Sequence, residues 1–224
     1  MFERYHHEYS NEIHKILATY FFWRMLRDRI ASEKELIAAL NKTPLSWIII
    51  RHSLQVTLFI TLGRIFDVDT KAFSVDDLLK CCIKEINIFS SENLRIRKMV
   101  DQNGNEPAWL SKYIEDAYEP IENDFSKLRG EVSKRRNIFE NVYRPIRHKI
   151  IAHKDKNFLD NANDLWVETN IVELEEIIWF LNDLKVTLSE TFLNGKKPEL
   201  RNRKPDIAFY ERDFGRLLDN VKKL

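Results

Sequence analysis

One stretch of the chain limits the folds open to it more than any other. Residues 47–66 read WIIIRHSLQVTLFITLGRIF, an apolar run whose main polar interruptions are Arg51, His52, Gln55 and Arg64. Just ahead of it, Thr43 offers a capping side chain and Pro44 stands at the first helical position, where a missing N–H costs nothing. Over 44–66 the apolar residues cover most of a helix circumference, so this helix is expected at the centre of the fold, covered by others. Its polar interruptions argue against a membrane span. Arg51 and His52 inside it then need partners. A buried structural contact is the first reading; lining a cleft or a dimer interface is the other.

The rest of the chain carries the same helical period. Residues 3–30 bring Ile13, Ile16, Leu17, Tyr20, Phe21 and Met25 together at three- and four-residue spacing. A second piece is expected from Ser32, where S-E-K-E matches a capping box, to about Asn41. Ser74 with Asp77 starts a helix over 75–89, and a short helix follows Ser91. Residues 101–118 read as a loop with a turn of helix. A helix is expected over 119–142, with a break or kink at Arg144 because Pro145 follows. A further helical stretch runs from Pro145 to about His153, then a polar loop over 154–166. Asn170 and Glu173 cap a last strong helix to about Phe192. A basic linker (KKPELRNRKPD) leads to a helix at 208–223. The reading is an all-α, up-and-down helical bundle over 1–195, with a linker and additional C-terminal helix over 196–224.

The 224 residues hold only 5 Gly and 6 Pro, which suits helices with short connections. Adjacent Cys81 and Cys82 are poorly placed to pair with each other, and the charged N-terminus MFERYHHEYSNE does not read as a secretory signal. A cytoplasmic protein without membrane contact is expected. No phosphate-binding glycine loop, nucleophile elbow or C-x-x-C is present, and His7 and His14 are two helical turns apart, too far to share an ion. Neither metal nor cofactor is expected. The cluster Glu173, Glu175 and Glu176 reads as first-turn charge.

The formal net charge is only +1, so any nucleic-acid footprint is local. It has one clear location. Between Lys127 and Lys156 there are ten Lys and Arg against three acids. Inside this stretch, residues 143–155 read YRPIRHKIIAHKD. Arg147 has a fixed fork of donors that grips phosphate, and His153 can move a proton near neutral pH. Together they suffice, in principle, for metal-free cleavage of a phosphodiester. The imidazole deprotonates an RNA 2′-hydroxyl and the guanidinium holds charge building on phosphorus, leaving a cyclic phosphate. Six residues of straight helix separate the two side chains by about 9 Å of rise and about 120° of rotation. The helix must end by His153 or a second copy must complete the site, which makes a homodimer the expected assembly.

Arg147, His148, four residues and His153 match R-[N/D/H]-x(4)-H, and by this motif the chain resembles the HEPN superfamily (higher eukaryotes and prokaryotes nucleotide-binding). LFITLGRIFDVDTKAFSVDDLL over 58–79 and IRHKIIAHKD over 146–155 resemble its abortive-infection, AbiU-type branch. The resemblance implies a helical bundle, often dimeric, and in many members a metal-independent ribonuclease of antiviral defence or toxin systems. Arg147 and His153 would be catalytic, with His148 as a polar support and Asp155 beside it. Arg64 and Asp67 read as an ion pair fixing the end of the apolar helix, or as supports near the cleft. Arg135, Arg136, Arg144, Lys149 and Lys154 are the candidate phosphate contacts. Two other functions stay open: a non-catalytic RNA- or nucleotide-binding module, and a basic face that docks an acidic protein such as an antitoxin.

Overall fold

The structure, a computed structural model, describes residues 1–68, 73–99, 106–146 and 170–223, and among these there is helix but no strand. The helices are α1 (Phe2–Ser32), α2 (Lys34–Leu40), α3 (Pro44–Phe66), α4 (Val75–Lys84), α5 (Ser91–Met99), α6 (Leu110–Glu115), α7 (Glu122–Ile138), α8 (Ile171–Asn194) and α9 (Ala208–Val221). A 3₁₀ turn over Ile86–Phe89 follows α4, and a π-helical turn over Phe139–Tyr143 follows α7. The all-α bundle expected from the periodicity is the observed fold.

Several local signals act as anticipated. Ser74 and Asp77 form a reciprocal capping box, each side chain taking the other residue's backbone N–H. The Asn170 side chain accepts from the amides of Val172 and Glu173. Gly195, which the sequence reading did not single out, ends α8 with φ 58°, a conformation that glycine adopts without a Cβ penalty. The Ser32 start does not form. Ser32 is the last residue of α1 and its hydroxyl donates to Asp28 O, while Glu33, extended, precedes α2. Serine bonding back to the i−4 carbonyl competes with capping, and here it wins.

The centre of the bundle is α1, not α3. α1 packs against α3, α4, α8 and α9, and buries Tyr9, Ile13, Ile16, Leu17 and Tyr20. Only the second half of α3 is enclosed, through Leu58, Phe59, Leu62, Ile65 and Phe66; most of its first half, including Arg51 and His52, faces outward. Hydropathy reports what a helix gains by burial, not which neighbours reach it. By length and composition α3 could also cross a membrane, but its second half is core.

α8 runs antiparallel to α1. Arg24 near the end of α1 pairs with Glu175 near the start of α8, and His6 meets Lys185 and Ser189 toward the far end. The His6 imidazole Nε2 lies 2.9 Å from Ser189 Oγ and 3.3 Å from Lys185 O, with Phe2 stacked on the ring. Burial holds this imidazole below its ordinary 6.5. The folded chain therefore binds this proton less readily than the unfolded one. The resulting stability is fully present above pH 6.5 and is lost as pH falls through the folded value. Thermal midpoints should fall between pH 6.5 and 5, before most carboxylates titrate, and His6→Gln should flatten that slope.

The C-terminal segment is fastened along α8. Asp183, 1 % exposed, accepts from the amides of Arg201 and Asn202 at 2.7 and 2.8 Å and from Arg203 Nη1 at 2.7 Å. α9 then returns to α1. Leu218 and Val221 join Leu26, Leu36 and Leu40 in a second apolar cluster, and Tyr210 donates toward or accepts from His14 at 3.0 Å. Arg29, Glu33, Asp219 and Lys222 close the outside of this joint, and the hydrogen bonds from Arg29 and Lys222 hold Glu33 down to about 2.

Candidate nucleic-acid interface

The end of α7 and the turn after it carry the described part of the basic stretch. α7 continues without interruption into the π-helical turn, where the Arg144 amide bonds to Phe139 O, five residues back. Helical geometry then persists over Arg144–Ile146. Of the break or kink expected at Arg144, the described residues show no break: the helix continues through a π turn, a local distortion of the kind at which helices bend. Pro145 cannot donate to the i−4 carbonyl and would crowd it in a regular helix. The wider π turn just before it relaxes that clash, and such turns recur at functional positions.

Three ring contacts fix the turn. Phe139 lies 5.4 Å from Phe66, Tyr143 5.9 Å from Phe59, and Phe139 and Tyr143 stack on each other at 6.1 Å. The turn therefore runs antiparallel to the buried end of α3. Tyr143 is fully buried and its hydroxyl lies 3.1 Å from Asn170 O and 3.2 Å from Glu173 Oε1. Burial, then the neighbouring Glu173 carboxylate, push the phenol well above its ordinary range, so it stays a donor. One hydroxyl thus joins the residue four before Arg147 to the cap of α8. Sequence reasoning missed Tyr143, although aromatic residues at i and i+4 before a proline were a usable signal. Tyr143→Phe keeps the ring and removes the donor, so chemical denaturation should show a loss of about 1–2 kcal/mol. An unchanged midpoint would mean that the hydroxyl contributes nothing to the tie.

The candidate cations differ in how far they are already neutralised. Arg144 is 3.7 Å from Glu140, Lys134 is 2.5 Å from Glu131, and Arg129 reaches Asp76 at 3.1 Å. Arg135 and Arg136, in the last turn of α7, have no acidic partner among the described residues. The Arg135 guanidinium sits 5.5 Å from the Phe180 ring centroid. Buried N–H groups of both side chains, Nε of Arg135 and Nε and Nη2 of Arg136, have no hydrogen-bond acceptor among the described residues. Both side chains are half-buried, and these particular donors are closed to solvent; what the two arginines offer a phosphate is charge that no described carboxylate neutralises.

Arg64 reaches across to α1, where Nη2 is 2.8 Å from Glu12 Oε2; Glu12 also takes Lys15. That contact pins the end of α3 next to the π turn, since Phe66 is the residue that meets Phe139. Asp67 is the C-cap of α3, its amide bonded to Arg64 O. Arg147, His148, Lys149, His153, Lys154 and Asp155 lie outside the described residues.

Comparison with known proteins adds one finding. The family model HEPN_AbiU2, described as AbiU2, matches residues 1–191. No curated protein and no solved structure matches the chain.

Proposed function

The chain belongs to the AbiU2 family of HEPN domains, and on that premise we propose that it is a metal-independent endoribonuclease of abortive-infection defence or of a toxin system. The observation that carries the reading is the Arg147, His148, His153 motif, set in the most basic stretch of a nearly neutral chain and inside the matched region. In this scheme His153 removes the proton of an RNA 2′-hydroxyl. The 2′-oxygen attacks phosphorus while Arg147 stabilises the charge on the non-bridging oxygens. The 5′-oxygen leaves with a proton returned by the imidazole, and the products are a 2′,3′-cyclic phosphate and a 5′-hydroxyl.

Arg135 and Arg136 support the substrate class. Their charge, unpaired with any described carboxylate, precedes the motif by about three helical turns and suits a phosphate backbone. The same charge also suits a non-catalytic RNA-binding member of the family, the second reading. Cleavage of a mixed RNA pool in excess EDTA decides between them. Cyclic-phosphate ends produced by the wild type, and absent with Arg147→Ala and with His153→Ala, are the expected result. Uncut RNA that is nevertheless bound would assign the chain to the second reading. Salt-sensitive binding to an acidic protein, with none to RNA, would remove both.

A further inference from the structure

The strap that joins α8 to α9 reads KKPELRNRKPD over 196–206, five cations against two carboxylates. It lies beyond residues 1–191, the part of the chain that the family model matches. The strap runs back along α8 and antiparallel to it. The Thr187 hydroxyl donates to Glu199 O, the Arg201 and Asn202 amides donate to Asp183, and Lys204 lies over half-buried Trp179, its Nζ 4.7 Å from the ring centroid. Two of its cations are committed, Arg203 to Asp183 and Lys197 to Glu199. Arg201 and Lys204 are exposed and have no acidic partner among the described residues.

A second source of charge reaches the same turn of α8. The Arg135 guanidinium of α7 lies 5.5 Å from the ring centroid of Phe180, the residue after Trp179. Consecutive residues of a helix point about 100° apart. Lys204 and Arg135, from elements far apart in sequence, therefore flank one turn of α8, each held against an aromatic ring. Tyr143 is fixed to Glu173, six residues before Trp179, or about 9 Å of helix rise. Of the acids in this half of α8, Glu173 is engaged by Tyr143 and Glu175 by Arg24. Glu176 is exposed, has no ion pair among the described residues, and falls between the directions of Trp179 and Phe180, one turn earlier.

We propose that the strap is the second bank of the RNA-binding surface, with Arg201 and Lys204 on the phosphates of a strand that crosses α8 from Arg135. This inference rests on the RNA reading of the basic stretch and extends it to a segment that reading does not use. Arg201 and Lys204 are three residues apart on non-helical chain, at most about 10 Å, close enough to serve nearby phosphates of one strand. Arg201 supplies a planar fork of donors, and Lys204 a point charge on a flexible stem that can leave Trp179 for a phosphate. The Asp183 clamp gives this bank a fixed backbone, so little chain is ordered when RNA arrives.

Fluorescence anisotropy on the full chain tests it, with a labelled mixed-sequence 2′-O-methyl oligonucleotide as the probe. That probe carries the phosphates of RNA but no 2′-hydroxyl to be cut. Arg201→Ala combined with Lys204→Ala should raise the dissociation constant about tenfold and lower the slope of log affinity against log salt by about 1.4, roughly 0.7 for each phosphate contact. Glu176→Gln should tighten binding about twofold, by removing an unpaired carboxylate from the path. Lys112→Ala, exposed near the far end of α8 where Tyr113 meets Asn194, should change nothing. The strap substitutions leave the donors to Asp183 in place, so the thermal midpoint should hold. Wild-type affinity and slope in the strap variant, with Arg135→Ala still weakened, overturns the strap's role and leaves the RNA reading standing. A wild type that binds no oligonucleotide removes both. A wild type that holds poly-glutamate as tightly as the oligonucleotide overturns the assignment to RNA.

Discussion

Replacing Asp183 by alanine is expected to cost about 3 kcal/mol of folding stability, the largest effect of any single polar substitution in the described structure. The carboxylate is 1 % exposed and takes three donors: the amides of Arg201 and Asn202, and the guanidinium of Arg203, which also reaches Thr187 Oγ1 at 3.1 Å. Breaking one side of a buried pair typically costs 3–5 kcal/mol, because the remaining charge is left without its partner. The lower end applies here, since the Arg203 side chain is 27 % exposed and can turn toward water. Asn202 holds φ 54°, a left-handed conformation that asparagine tolerates better than most residues, and the carboxylate is what keeps it there. Asp183→Asn retains one acceptor oxygen but loses the charge, so about half the loss is expected. Urea unfolding measures both. If alanine costs under 1 kcal/mol, the strap is held by α9 and not by this clamp.

Asp183 also illustrates what a sequence hides. Its partners lie 18 to 20 residues onward, beyond a helix end, and nothing in their spacing announces the clamp. Signals that act within one turn were legible: the Ser74 box, the Pro44 start and the Asn170 cap each involve residues no more than three apart. Ser32 failed within the same range because a serine at a helix end has two bonding options of similar energy. The position of α3 failed for a different reason. Its composition is that of a covered helix, and the expectation that Arg51 and His52 find buried partners followed from that. In the fold the same residues are exposed on an outward face. The π turn at Phe139–Tyr143 was invisible because proline signals only that a regular helix is impossible, not how the chain will avoid the clash. For the candidate site, the basic concentration near the end of α7 was legible as charge. The exchange of Arg129 and Arg144 into ion pairs, which leaves Arg135 and Arg136 as the uncommitted pair, needed the three-dimensional arrangement.

The ribonuclease reading makes its sharpest demand on His153. An imidazole acting as general base accounts for a factor of about 10²–10⁴ in rate. His153→Ala should therefore lower kcat by at least 100-fold while RNA affinity changes less than about threefold, because phosphate attraction rests on the cations. Arg147→Ala should lower kcat by about 10²–10³ through loss of charge stabilisation at phosphorus, and should weaken binding as well. Arg135→Ala and Arg136→Ala should show the opposite split. Each should raise the dissociation constant several-fold and reduce the slope of log affinity against log salt by about one, with kcat at saturating RNA nearly unchanged. Single-turnover cleavage in EDTA, paired with binding titrations at two salt concentrations, reads all four variants. A His153→Ala protein that cuts at the wild-type rate removes this residue from the chemistry. Loss of binding in step with loss of cleavage in that variant would instead place the imidazole among the RNA contacts, and the chain would then act by holding RNA, not by cutting it.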